Sequence, residues 1–171
     1  MTETLDPALP DDIVEAVEKV LDAACDRDLM LATAESCTGG LLAALLTDVP
    51  GRSHAFERGF VVYSKQAKCD LLAIERKRVD SCGAVSREIA LDMATGALAA
   101  SRADIAVSVT GYAGPPGKDE DGEEGLVHFG CARKGGEAFH REERFGAIGR
   151  DGVRIAALRT ALDMLAEALS Q

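Results

Sequence analysis

Three side chains that can serve as nucleophiles or as helix caps stand in a row at Ser36, Cys37 and Thr38. They lie between two apolar runs, residues 29–32 and 41–46, which predict a short buried strand, a tight polar turn and a helix. Such a turn places a hydroxyl or thiol at the carboxyl end of a strand, beside the free N–H groups of a helix start. The stretch is either a reactive site or an ordinary Ser/Thr helix cap, and from its residues alone the cap is the simpler interpretation.

A candidate base for a hydroxyl nucleophile follows the second predicted strand, residues 60–63. If Ser64 caps the next helix, Lys68 lies near its first turn, where the helix dipole disfavours a cation by about 0.3–1 kcal/mol. Partial burial and the neighbouring Lys65 would lower its pKa further, and a neutral lysine can serve as the base for a serine. Tyr63 could relay a proton between amine and hydroxyl. The alternative is that both lysines are solvated on a surface helix and Tyr63 is an ordinary sheet residue.

The spacing around Ser36 matches neither of two common serine-hydrolase motifs. No S-x-x-K is present, and Ala34 stands where a G-x-S-x-G turn has its first glycine. A serine site must therefore be assembled from distant segments. Ligands of open α/β folds bind outside the carboxyl ends of the strands. Three loops predicted to follow strand ends are therefore expected to be neighbours: residues 35–40, 63–68 and 110–117.

Other polar residues offer weaker alternatives. Arg150 and Arg154 lie four residues apart and share a helix face, which suits a phosphate but also describes ordinary surface arginines. The acidic run 118–124 could bind a divalent cation, yet it lacks the EF-hand pattern and is more typical of a solvated loop. Cys37 could act as a thiolate, but the histidines are far apart in the sequence and show no metal-ligand spacing. They are His54, His128 and His140.

The elements that must position these groups alternate between helices and strands. The pattern predicts helices over residues 11–27, 41–48, 64–74, 86–102 and 149–169, and strands over 29–32, 60–63, 104–109, 126–131 and 138–145. Asp11 or Asp12 is expected to cap the first helix. Residues 51–59 are expected to be irregular and residues 75–85 a polar linker. We predict a flexible tail over residues 1–10 and one domain over residues 11–171. Its fold class is α/β: a three-layer α/β/α sandwich with a mixed, mostly parallel sheet and a late antiparallel hairpin.

Composition narrows the class of function. The net charge of −10 gives no cationic surface for coating nucleic acid, although local arginines can still bind a small anion. No apolar run is long enough to span a membrane, and the first residues lack a signal peptide's basic and apolar regions. Five cysteines without a C-x-x-C pair fit a reducing compartment. The sequence therefore predicts a cytoplasmic protein with no nucleic-acid or membrane partner.

Several motifs in combination resemble the CinA C-terminal domain family. They run in order through nearly the whole chain: A-E-S-C-T-G-G at 34–40, V-Y-S-x-x-A-K at 62–68, G-A-V-S at 83–86, V-T-G-x-A-G-P at 109–115, G-L-V at 125–127 and F-x-x-x-G-R-x-x-V-R at 145–154. The family is similar to nicotinamide-nucleotide amidohydrolases. The resemblance implies hydrolysis of the carboxamide of nicotinamide mononucleotide, giving nicotinate mononucleotide and ammonia within pyridine nucleotide salvage.

The resemblance also assigns roles to residues. It implies a site without metal or cofactor, with Ser36 as nucleophile, Lys68 as base and Tyr63 as proton relay. The N–H groups of residues 36–40 are the expected oxyanion donors, and Arg150 is the candidate for the 5′-phosphate. The substrate-binding residues expected on this basis are Glu35, Thr38, Gly39, Gly40, Thr110, Gly111, Ala113, Gly114 and Arg150.

Two departures from the family pattern bear on activity. Lys65 stands where the family more often has a small polar residue, and the loop 116–124 is acidic and lacks the usual Lys-Pro. The first could alter the pKa of Lys68 and the second the fit of the substrate. Two alternatives therefore stay open, an amidase for another small carboxamide and a non-catalytic partner in competence or damage response. A homodimer or higher homo-oligomer is compatible with the alanine-rich helices and edge hairpin.

Overall fold

The computed structural model describes residues 9–171, in which six α-helices and five strands alternate much as predicted. The helices are α1 (Asp11–Asp26), α2 (Leu41–Leu46), α3 (Lys65–Leu72), α4 (Arg76–Cys82), α5 (Arg87–Ala99) and α6 (Gly149–Leu169). The strands are β1 (Leu31–Glu35), β2 (Phe56–Val61), β3 (Ile105–Gly111), β4 (Leu126–Arg133) and β5 (Phe139–Arg144). No helix in the described range is long and apolar enough to cross a membrane.

The strands form one mixed sheet in the order β2-β1-β3-β4-β5. Strand β1 pairs in parallel with β2 and β3, whereas β4 runs antiparallel to both of its neighbours. Four of these five strands consequently point the same way. The prediction of a mixed, mostly parallel sheet with a late hairpin is confirmed, and the carboxyl ends of β1 and β3 lie side by side.

Helices cover both faces of the sheet, which confirms the three-layer sandwich. Alternate residues of β3 show the division: Ile105, Val107 and Val109 pack with α1, α2 and α6, whereas Ala106 packs with α3, α4 and α5. Small residues on the second face let α5 approach closely. A Cβ added at Gly130 would lie 2.3 Å from a backbone carbonyl oxygen of α5, so this position requires glycine.

Two segments without predicted structure are in fact regular. Residues 51–59 contain a 3₁₀ turn and most of β2, an edge strand in which no residue is fully buried and which therefore has no long apolar run. Residues 75–85 contain α4, in which Val79 is the buried residue. Ion pairs from Arg76 to Asp80 and from Arg78 to Asp92 accompany this short helix. The helix α4 was missed, and the predicted strand 60–63 covered only the last two residues of β2, because sequence periodicity reflects burial and these elements bury little.

Of the two helix caps predicted, one is correct and one is wrong. Ser64 accepts a hydrogen bond from the Ala67 N–H and caps α3 as expected, and Ser86 caps α5 in the same way through the Ile89 N–H. Pro10 occupies the N-cap position of α1 without a side-chain hydrogen bond, so neither Asp11 nor Asp12 caps the helix. The predicted tail lies mostly outside the described residues, and Leu9 is partly buried against the core.

Candidate active site

A cavity of about 310 Å³ opens where β1 and β3 end, as the three-loop prediction required. Eight of the predicted site residues line it: Ser36, Tyr63, Lys68, Thr110, Gly111, Ala113, Gly114 and Arg150. The other four, Glu35, Thr38, Gly39 and Gly40, are not among its lining residues. The lining residues that sequence reasoning did not assign to the site are Ala84, Val85, Tyr112, Pro115 and Glu120, together with Cys37.

The Ser36 hydroxyl and the Lys68 amine are in direct contact. Lys68 Nζ lies 3.1 Å from Ser36 Oγ and donates to the Val62 carbonyl oxygen at 2.7 Å. Lys68 is the fourth residue of α3, and Ser36 directly follows β1. The Val62 N–H in turn donates to the Glu35 carbonyl oxygen at 2.8 Å, so the segment that holds the amine is fixed to the segment that holds the hydroxyl.

Burial changes the proton affinity of Lys68. Its side chain is only 1% exposed, and desolvation lowers its pKa from 10.5 to about 8. A neutral amine at Nζ can accept the Ser36 proton while donating one of its own protons to Val62. Lys68 is therefore no surface lysine, whereas Lys65 is half-exposed and pairs with Asp80 at 3.6 Å.

Burial shifts the pKa of Cys37 in the opposite direction to that of Lys68. Its thiol is buried, and burial raises its pKa from 9.0 to about 11. A thiolate is the nucleophilic form of cysteine, so this environment disfavours cysteine chemistry at neutral pH. Of the three adjacent candidates, Ser36 is the one with a base in contact.

Glu35 belongs to the core. It is the last residue of β1, fully buried, and its carboxylate accepts from the N–H groups of Gly40, Leu42 and Ala43 at 3.2, 3.1 and 2.8 Å. These are orphan donors at the start of α2, which a carboxylate satisfies well. The turn therefore begins after Glu35, and this side chain holds the turn against α2.

The backbone N–H groups of the turn are mostly engaged. Ser36 donates to the Val109 carbonyl oxygen at 2.9 Å, Gly39 donates to the Ser36 carbonyl oxygen at 3.1 Å, and Gly40 donates to Glu35. Among the backbone and side-chain hydrogen bonds of residues 9–171, none is donated by the N–H of Cys37 or Thr38. The expectation that the whole turn supplies oxyanion donors is therefore too broad, because three of its five N–H groups already have partners.

The two arginines predicted to share a helix face point to different places. Arg150 lines the cavity and packs against Gly114, where an added Cβ would lie 3.0 Å from Nη2. Arg154 donates from Nε to the Cys37 carbonyl oxygen at 2.9 Å and is not a lining residue. Arg150 is thus available to a ligand, whereas Arg154 is bound to the turn.

The outer part of the cavity is polar and open. Tyr63 lies two residues beyond β2 and is 67% exposed, and no hydrogen bond recorded for residues 9–171 joins its hydroxyl to Ser36 or Lys68. Glu120 is held by the Gly117 N–H, which donates to Oε2 at 2.9 Å. Thr110 donates from its hydroxyl to the Ala84 carbonyl oxygen at 2.8 Å, which joins two walls of the cavity. The G-A-V-S motif at 83–86 was the available signal for the Ala84 wall.

The histidines lie elsewhere. His128 Nδ1 and His140 Nε2 are 3.0 Å apart on neighbouring strands, and neither residue lines the cavity. In the part of the chain that the structure describes, no group of three or more His, Cys, Asp or Glu side chains is arranged to hold a metal ion.

The fold and this site define a family. The CinA C-terminal domain model matches residues 14–169, and the chain belongs to that family. It is 43% identical to "Nicotinamide-nucleotide amidohydrolase PncC" of Escherichia coli (strain K12), covering 90% of this chain and 93% of that protein. It is 45% identical to a "Putative competence-damage inducible protein" of Caldicellulosiruptor saccharolyticus, covering 86% of this chain and 36% of that longer protein.

A solved structure agrees with the same assignment. The crystal structure of competence/damage inducible protein CihA from Agrobacterium tumefaciens superimposes with a TM-score of 0.91 at 46% identity. The match covers 97% of this chain and 100% of that one.

Proposed function

We propose that this protein is a nicotinamide-nucleotide amidohydrolase that converts nicotinamide mononucleotide and water to nicotinate mononucleotide and ammonia. The observation that carries the proposal is the buried contact of Lys68 Nζ with Ser36 Oγ at the base of an open cavity. The similarity to a relative named for this activity, over nine-tenths of both chains, supports the substrate class.

Acylation follows from this geometry. With Lys68 neutral, Nζ takes the proton of Ser36 as Oγ attacks the carboxamide carbon, while the bond to the Val62 carbonyl keeps the amine in place. The tetrahedral intermediate collapses when the protonated lysine returns the proton to the leaving nitrogen. Ammonia departs, and the acyl group of nicotinate mononucleotide remains as an ester on Ser36.

Deacylation repeats the proton transfer with water. Lys68 takes a proton from water as the oxygen attacks the ester carbon, and it returns the proton to Ser36 Oγ as the C–O bond breaks. The negative oxygen formed in both steps needs donors, and the N–H groups of Cys37 and Thr38 are the members of the turn that have no partner in the described part of the chain. A well-placed oxyanion donor contributes about 3 kcal/mol in the transition state.

The walls of the cavity supply candidate roles for recognition. Thr110, Gly111, Ala113 and Gly114 form a wall for the nicotinamide ring or ribose, and Arg150 is positioned to meet a phosphate. Tyr63 lies at the rim, so a proton-relay role requires its exposed side chain to turn inward when substrate is bound. Glu35, Gly39 and Gly40 support the turn instead of facing the cavity. The cytoplasmic location and the homo-oligomeric state also stay predictions.

Ammonia release from nicotinamide mononucleotide by the purified protein tests this function. Ser36→Ala should reduce turnover to background, because within residues 9–171 the hydroxyl hydrogen-bonded to Lys68 Nζ is that of Ser36. Cys37→Ala is the matched control and should retain most activity, since its protonated thiol takes no part in the steps above. Equal turnover by the wild type and Ser36→Ala would exclude the serine mechanism.

A second candidate is an amidase for another small carboxamide. Glu120 lines the cavity together with Arg150, and its carboxylate weakens the attraction of the cavity for a phosphate. Assaying nicotinamide, nicotinamide riboside and nicotinamide mononucleotide side by side separates the candidates. The proposed function predicts the highest kcat/KM for the mononucleotide, and inactivity on all carboxamides would favour the non-catalytic alternative.

A further inference from the structure

Arg154 connects the last helix to the nucleophile turn. It lies in the second turn of α6, and its Nε donates to the carbonyl oxygen of Cys37 at 2.9 Å in a partly buried contact. The residues it joins are 117 positions apart in the chain. Gly39 of the same turn also lies beside this guanidinium, since a Cβ added there would be in van der Waals contact with Nη2 at 3.8 Å.

The hydrogen bond fixes the orientation of one peptide group. In a trans peptide the carbonyl and the N–H of the same unit point in opposite directions, and the described chain contains no cis bond. Because the Cys37 carbonyl is directed at Arg154 of α6, the Thr38 N–H is directed away from α6. A cationic donor on the carbonyl also polarises the peptide and strengthens its N–H as a donor.

The Thr38 N–H is free within the described part of the chain and belongs to the peptide group that Arg154 holds. The N–H groups of Ser36, Gly39 and Gly40 have partners within the fold. Among residues 9–171 neither the Cys37 N–H nor the Thr38 N–H has an acceptor, and of these two only the Thr38 N–H shares its peptide group with the Cys37 carbonyl. An oxyanion donor needs both features, a free N–H and an orientation set before the reaction begins.

We propose that Arg154 is a positioning residue that aims the Thr38 N–H at the oxyanion by holding the Cys37 carbonyl. The inference rests on the proposed serine amidohydrolase function of this site. It separates the two arginines of α6: Arg150 meets the ligand, and Arg154 acts through the backbone without touching the substrate.

The test compares Arg154→Met and Arg154→Lys with Arg159→Met. Arg159 is the matched control because it lies on the same helix and pairs with Asp12 on the surface, the two joined at 3.0 Å through Nη2. In the ammonia-release assay, Arg154→Met should lower kcat about 10- to 100-fold and leave KM within about twofold, as expected for weakening one transition-state donor. Arg159→Met should match the wild type in both constants.

Chemical rescue separates positioning from a general structural role. Millimolar methylguanidinium should restore part of the kcat of Arg154→Ala and should not change that of Arg159→Met. Circular dichroism and thermal unfolding verify that each variant is folded. If Arg154→Met and Arg154→Ala do not fold, Arg154→Lys takes their place in the comparison with the wild type. A raised KM at unchanged kcat would make Arg154 a substrate ligand and overturn the proposal, as would wild-type kinetics.

A fluorophosphonate probe keeps the inference testable if nicotinamide mononucleotide is not the substrate. Ser36 Oγ would bond to phosphorus, fluoride would leave, and the serine proton would pass to Lys68, while the phosphonyl oxygen occupies the oxyanion position. Labelling of Arg154→Met should be about tenfold slower than that of the wild type, and Ser36→Ala should not be labelled. Equal labelling of the wild type and Arg154→Met overturns the role of Arg154, whatever the ammonia assay gives.

Discussion

The two sides of the cavity differ in how firmly the fold holds them. The chemical side consists of Ser36, Cys37 and Lys68, which are at most 8% exposed and are joined to strands and helices by hydrogen bonds. The rim consists of Tyr63, Glu120 and Arg150, which are exposed. Groups on the chemical side therefore have positions and proton affinities set by folding, whereas the rim can change in sequence without unfolding the protein.

This difference has a kinetic consequence. Changes to Ser36 or Lys68 on the chemical side should act mainly on kcat, because they alter the reacting atoms, whereas the Cys37 thiol takes no part in the reaction. Changes at the rim should act mainly on KM, because they alter contacts that substrate and transition state share. Lys65 and the acidic loop 116–124, where the sequence is expected to depart from the family pattern, lie outside the chemical side.

The largest effect is expected at Lys68. Lys68→Arg should lower turnover by about 10³-fold or more, because an arginine stays protonated and cannot take the Ser36 proton. Lys68→Met serves as a second variant in case the larger guanidinium disturbs the core. Lys65→Met is the matched control and should stay within about threefold of the wild type, since its exposed amine pairs only with a surface carboxylate. If Lys65→Met lost activity and the Lys68 variants retained it, the base would be Lys65, and the role assigned to Lys68 would be wrong.

The same lysine fixes the pH dependence of the wild type. Its pKa is lowered to about 8, so the neutral, active form increases as pH rises through this value. The kcat/KM for nicotinamide mononucleotide should therefore rise about tenfold per pH unit below 8 and level off above it. A profile that stays flat between pH 6 and 9 would contradict a lysine base.

The next effect is on stability and tests the role of Glu35. Glu35→Gln replaces one carboxylate oxygen by an NH₂ group that faces the N–H groups of α2, so we expect a loss of about 1–3 kcal/mol in the free energy of unfolding. Denaturant unfolding measures this loss. The KM of the folded variant should not change, whereas a raised KM with unaltered stability would return Glu35 to the substrate-binding residues.

Much of this site could be predicted because its chemistry is encoded by residue type and local pattern. The strand-turn-helix pattern around Ser36 and the Ser64 cap before Lys68 identified the segments from apolar runs and polar punctuation. Parallel strands then bring their carboxyl ends together, and the family motifs selected Ser36 over Cys37 and Thr38. The fold was predictable for the same reason, since its buried elements carry clear periodicity.

The features of the site and fold that were not predicted depend on tertiary contacts, which leave no local pattern in the sequence. Glu35 was expected to bind substrate because it stands in a conspicuous motif, but β1 ends three residues later than the predicted strand 29–32 and buries the Glu35 carboxylate against α2. Arg150 and Arg154 look equivalent by helical spacing, and only the packing of α6 against the turn distinguishes them. The strand β2 was partly hidden because edge strands expose many side chains.

The smallest effects are expected at the rim, where two opposite charges predict changes of opposite sign. Arg150→Gln removes a cation that meets the phosphate and should raise the KM for nicotinamide mononucleotide about tenfold, the low end for a charged hydrogen bond because the site is exposed. Glu120→Gln retains an oxygen for the Gly117 N–H but removes the negative charge, so it should lower this KM by about twofold to fivefold. Both shifts should shrink in 0.5 M salt and vanish for nicotinamide riboside, which has no phosphate. If Glu120→Gln instead raised the KM for both substrates, the carboxylate would be a ligand of the ribose hydroxyls, and the rim would contribute recognition beyond the charge of the phosphate.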